Sequence, residues 1–170
     1  MKSIALPIAL SCMLLAAPAL AAPPQLLDHT ITVSFTATGQ GKSPEGQVHS
    51  FNTQVSRIIY VSSAGRLFMR HRAANSRGNS RGGDFAPGEG GGSFSFQGSR
   101  LVGVLPYGTG ARQITVTFDP GFSSCTASVI EGGSGGVIRR KGPNGIMYEI
   151  TGATTSSVSC SIRNGNAFAG

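Results

Sequence analysis

Residues 113–118 read Gln-Ile-Thr-Val-Thr-Phe, so that Ile114, Val116 and Phe118 alternate with Gln113, Thr115 and Thr117. Alternation with period two is the mark of a strand with one buried face and one wet face. Asp119-Pro120-Gly121 ends the strand, because proline has no amide for the ladder and glycine accepts a turn. A returning strand follows, with Cys125, Ala127 and Val129 on one face. A chain with such a hairpin near its middle has to build a sheet around it.

The same pattern recurs on both sides. Thr30 to Thr38 puts Ile31, Val33 and Phe35 inward. Gln54 to Arg72 reads as a hairpin: Val55 to Ser62 runs in, Ser63-Ala64-Gly65 turns, and Arg66 to Arg72 runs back. Ile59, Val61, Leu67 and Met69 share its buried face, while Phe68 lies on the other with Arg66 and Arg70. Val48 to Phe51 is a short strand or the approach to the next. Phe94 to Gln97, Arg100 to Leu105, Ile146 to Ile150 and Ser156 to Arg163 are further strands. Residues 75–93 lose periodicity and read as a flexible Gly/Ser/Arg loop, and residues 132–136 as a Gly/Ser link.

The chain has 170 residues and 25 glycines, about twice the usual glycine share, and only 12% charged residues. Glycine and β-branched residues lower helix propensity, and no stretch beyond the leader has helical period. The fold class is therefore all-β: an antiparallel meander of about eight to nine strands, closed as a small barrel, with a two-sheet β-sandwich as the alternative. An outer-membrane barrel fits less well, because the chain has no Trp and three Tyr, too few for aromatic girdles.

Residues 1–21 have the parts of a secretory signal peptide: Lys2, an apolar run from Ile4 to Leu15, and Ala19-Leu20-Ala21 as the cleavage site. Residues 22–29 then form a disordered lead-in, and 30–170 a single domain. Ala9-Leu10-Ser11-Cys12 is a poor lipidation site. Cleavage leaves 13 Lys and Arg against 7 Asp and Glu, a net charge of +6, and two cysteines. In an exported chain, periplasmic or secreted, Cys125 and Cys160 read as a disulfide between inward positions; two free buried thiols are the alternative.

Motifs for chemistry are sparse. Gly39-Gln40-Gly41-Lys42-Ser43 lacks the leading glycine and the following helix of a phosphate-binding loop. The Gly132–Gly136 run matches G-x-S-x-G in letters only, with no helix after it. His29, His49 and His71 have no zinc-binding spacing and read as surface histidines. Of the carboxylates, only Glu149 is expected inside a strand, and no pair stands out as an acid and base. The sequence therefore names no catalytic residue, no metal ligand and no cofactor.

The strongest functional hint is basic. Arg57, Arg66, Arg70, His71, Arg72, Arg77 and Arg81 fall close together with no acid among them, and Arg139-Arg140-Lys141 adds a second cluster. Read as one surface, Arg57, Arg66, Arg70, Arg72 and Arg77, with Phe68 as an apolar contact, would attract an envelope polyanion, either an anionic polymer or lipid head groups. No motif supports specific nucleic-acid recognition. The alternatives are a small-molecule carrier with an apolar barrel interior and a hydrolase with a site assembled from distant loops.

Three segments, Tyr60–Phe68, Gly110–Asp119 and Cys160–Asn166, resemble a group of small exported bacterial all-β proteins to which no activity is attached. The resemblance implies that residues 55–168 form one unit and that Cys125 and Cys160 pair. It brings no functional residue.

Overall fold

The computed structural model describes residues 21–76, 80–85, 92–132, 137–142 and 144–168. The signal peptide expected at 1–21 lies outside them except for Ala21, as do Arg77 and most of the 132–136 link.

Ten strands are described: β1 His29–Lys42, β2 Val48–Val61, β3 Leu67–Asn75, β4 Ser80–Phe85, β5 Ser93–Gln97, β6 Arg100–Tyr107, β7 Gly110–Phe118, β8 Cys125–Gly132, β9 Ile138–Lys141 and β10 Met147–Asn164. They form two antiparallel sheets, β4-β3-β2-β1-β10-β9 and β5-β6-β7-β8, one of them curled into a half-barrel. The meander expectation holds inside each sheet. The departure from it is β10, which pairs with β1 and so joins the end of the chain to its beginning.

Curling comes from β10. Ser34 faces Ser159 and Thr36 faces Ser156, so two residues of β10 stand opposite Phe35; Thr38 faces Thr154 and Gln40 faces Thr151, a second extra residue. Each bulge adds right-handed twist and swaps the faces of the strand beyond it. Ser157, at the first, has φ of 52°. This is why a single alternation cannot be followed through the segment after Glu149.

One core lies between the sheets. Ile31, Val33, Ile59 and Val61 of the larger sheet meet Leu101, Ile114 and Val116 of the smaller, all fully buried. Burying an Ile or Leu side chain is worth about 1.5–3 kcal/mol, so these alternating positions dominate the stability of the fold. Cys125 of β8 is bonded to Cys160 of β10 with Cα atoms 5.7 Å apart. The bond staples one sheet to the other, and closing its 35-residue loop contributes about 3–4 kcal/mol by the chain-entropy model.

Two segments expected to be irregular contain regular structure among their described residues. The lead-in contains a 3-10 turn at Pro24–Leu26, and Leu26 is fully buried against the core. Its side chain caps one end of the apolar layer, a role that no period reveals. Within the 75–93 loop, Ser80–Phe85 is strand β4, paired with β3. Glycine makes the pairing possible: a Cβ on Gly82 would stand 2.3 Å from the His71 carbonyl oxygen. The Arg70–Asp84 ion pair spans the same two strands.

Candidate ligand pocket

The inward faces carry charge as well as core. Arg57 shares its face of β2 with Val55, Ile59 and Val61, and Arg112 shares its face of β7 with Ile114, Val116 and Phe118. Both are buried, at 8% and 4% exposure. Arg57 was expected on the surface; strand parity turns it inward. His71 follows suit on β3, between Met69 and Ala73, directly across from Arg57, and it is only half-exposed rather than a surface histidine. Glu131, at the end of β8, is the cross-strand partner of Arg112.

Arg112 is well satisfied. Its Nε donates to Glu131 Oε1 at 2.8 Å and a terminal nitrogen donates to the same oxygen. Its guanidinium lies over the rings of Tyr107 and Phe35, 4.5 and 5.0 Å from their centroids, so it ties β7 to the facing sheet. Glu131 has a side chain 3% exposed and is the most deeply held carboxylate in any described ion pair. Expecting only Glu149 inside a strand overlooked both it and Asp84.

Arg57 is in the opposite condition. Its Nε is buried and has no hydrogen-bond partner among the described residues, and neither has Nδ1 of His71 or Oε2 of Glu131. Arg57 and His71 line a cavity of about 200 Å³; Glu131, bonded to Arg112, is not on that lining. One part of the cavity's lining is Arg57, His71, Arg81, Tyr107, Arg112 and Arg140; another is apolar and includes Phe51, Val55, Met69, Ala73, Phe85 and Leu105. Arg81 is exposed and Arg140 is half-buried, so solvent reaches the cavity on the cationic side.

The titration of the site follows from burial first and neighbouring charge second. Burial, then Arg112, lowers Arg57 to about 10, with Glu131 opposing and Arg81 adding to the drop. It therefore remains a cation at neutral pH. Burial and then Arg57, Arg81, Arg112 and Arg72 lower His71 to about 3. Its imidazole is neutral at physiological pH, with one ring nitrogen a donor and the other an acceptor. Burial, followed by Glu131, raises Tyr107, which stays a neutral phenol.

Arg66, Phe68, Arg70 and Arg72, the other described residues of the expected basic surface, take alternate positions along the outer face of β3 and the residue before it. Arg70 donates to both oxygens of Asp84 at 2.7 Å, reaches the Ala167 carbonyl at 3.1 Å and lies over the Phe168 ring. Arg72 approaches the same Asp84 at 3.5 Å. Arg66 is exposed, with its guanidinium 5.5 Å from the Phe68 ring centroid. In the second cluster, Arg139 pairs with Glu149 at 3.2 Å and Arg140 lies over Tyr107.

Elsewhere, Lys42 ends strand β1 and no helix begins there. His29 bonds the Leu27 carbonyl, and His49 packs edge-on against Tyr148. No group of His, Cys, Asp and Glu suited to a metal occurs among the described residues. No helix among them is long and apolar enough to cross a membrane. No protein-family model, curated protein or solved structure matches the chain.

Proposed function

We propose that the domain is an exported, non-catalytic binding protein whose ligand sits in the interior pocket between the sheets. The carrying observation is Arg57: a buried cation, without a partner for its Nε, on the wall of a cavity of about 200 Å³. An unpaired buried charge is costly to fold around, and a bound acceptor would relieve it. This favours the carrier reading over the exterior polyanion, with one change: the interior is not wholly apolar. A hydrolase finds less support, because His71 is surrounded by arginines rather than set between a carboxylate and a nucleophile.

The test is an amide-resonance titration of the folded protein with a panel of small organic molecules. Shifts are expected at Arg57, His71, Tyr107 and Leu105. Shifts confined to Arg66, Phe68, Arg70 and Arg72 would hand the function to the exterior face, where exposed Arg66 beside half-buried Phe68 offers a polyanion its best contact. Export is tested separately, by finding whether the chain made in cells loses its first 21 residues.

A further inference from the structure

We propose that the pocket selects a small organic carboxylate, a single negative charge on a compact apolar body, seated with its carboxylate on Arg57. This rests on the pocket reading above and gives the ligand a chemical class.

Three features of the cavity narrow that class. The first is the donor set. A guanidinium fork matches a carboxylate, and charge-assisted bonds of this kind are among the strong ones. The neutral His71 imidazole, across the strand pair from Arg57, and the Tyr107 phenol, also on the lining, can each donate a further bond without adding charge. Arg112, already bound to Glu131, contributes field rather than a free fork.

The second is charge. Arg57, Arg81, Arg112 and Arg140 are on the lining, whereas Glu131, bonded to Arg112, is not, so the walls favour an anion over a neutral molecule of the same shape.

The third is size and lining. At about 200 Å³ the cavity is below the range of about 300–1,000 Å³ usual for drug-sized ligands, yet above the roughly 150 Å³ that holds benzene. Phe51, Val55, Met69, Phe85 and Leu105 offer such a body an apolar wall. A long acyl chain does not fit, and a bare inorganic anion leaves that wall unfilled.

The experiment is calorimetric and resonance titration of the folded protein with benzoate, its uncharged isostere benzamide, and inorganic phosphate. Benzoate should bind about 10- to 100-fold more tightly than benzamide, the worth of one charge-assisted hydrogen-bonded contact, with shifts at Arg57 and His71. In Arg57→Met the two should bind alike while the thermal midpoint holds or rises. Arg57→Lys, which keeps charge but loses the fork, should retain part of the preference. Equal binding of benzoate and benzamide to the wild type would overturn the carboxylate class and leave the pocket standing. Phosphate binding as tightly as benzoate would overturn the apolar body. If no probe, charged or neutral, moves the cavity resonances, the pocket reading itself falls.

Discussion

Strands β2 and β3 hold two sets of basic side chains that differ by a single step of register. Arg57 and His71 face inward; Arg70 and Arg72, neighbours of His71 on either side, face outward. The outer pair shares Asp84 and stands in water, where ion pairs are screened and contribute little. The inner pair is turned toward the core and makes no ion pair with a carboxylate among the described residues. Arg112, also inside, has Glu131. Counted along the sequence, all of these look like one basic surface. Sorted by face, they separate into a solvated set, a neutralised buried pair, and one buried cation with an unpartnered nitrogen. The last is the one on which the proposed ligand would sit.

This contrast is easiest to break at Glu131. Glu131→Gln leaves Arg112 as a second unpaired buried cation near Arg57, and should cost about 3–5 kcal/mol in denaturant unfolding. A small loss would mean that Arg112 finds water, and that the interior is wetter than its burial suggests. Arg57→Met removes an unpaired charge and should instead hold or raise stability, by about 1 kcal/mol, the low end for hydrophobic replacement of buried charge. A clear loss would show that Arg57 has a structural partner and is not held for a ligand.

His71 sharpens the comparison through pH. Its folded pKa, about 3, lies below the ordinary value of 6.5, so below 6.5 the unfolded chain takes up a proton that the folded one refuses. Stability should be full above pH 6.5 and fall progressively toward pH 3. The paired carboxylates lose their own contributions near the lower end. His71→Asn should flatten the upper part of this limb, between pH 6.5 and 5, as measured by chemical unfolding at each pH. An unchanged slope there would place His71 in solvent. The smallest effect is expected outside: Asp84→Asn should leave the thermal midpoint near that of the wild type, with any change vanishing at high salt. If Asp84→Asn instead frees β4, hydrogen exchange across residues 80–85 will report it.

Much of this was legible in the chain. Ile114, Val116 and Phe118 announced β7, and Ile31, Val33 and Phe35 announced β1, because half-buried strands write their burial at every second residue. The same rule already placed Arg57 with Val55 and Ile59, and Arg112 with Ile114. Charge was read as a property of the surface, although parity located it inside. The rest was hidden for physical reasons. Strand β4 is rich in glycine, and its pairing with β3 is a tertiary contact that no local period announces. Leu26 is one apolar residue in a proline-rich lead-in, with no period to belong to. The bulges of β10 break its alternation, so that one strand reads in the sequence as two, 146–150 and 156–163.

The turn between β6 and β7 has a consequence for motion. A Cβ on Gly108 would lie 2.1 Å from the Arg139 carbonyl oxygen, and the next residue, Thr109, exchanges two bonds with Arg139: its amide donates to that oxygen at 2.9 Å, and its hydroxyl accepts from the Arg139 amide at 2.9 Å. The pocket lies at this end, bordered by Tyr107, Gly108 and Arg140. At the other end of β7, beyond Phe118, the sheets are joined by a covalent bond between sulfurs. The two sheets therefore resemble the covers of a book bound along one edge and held shut at the other by a clasp. Breathing of the molecule has a preferred direction, and the clasp, which thermal energy can undo while the spine stays sewn, would set how long the proposed ligand stays between the pages.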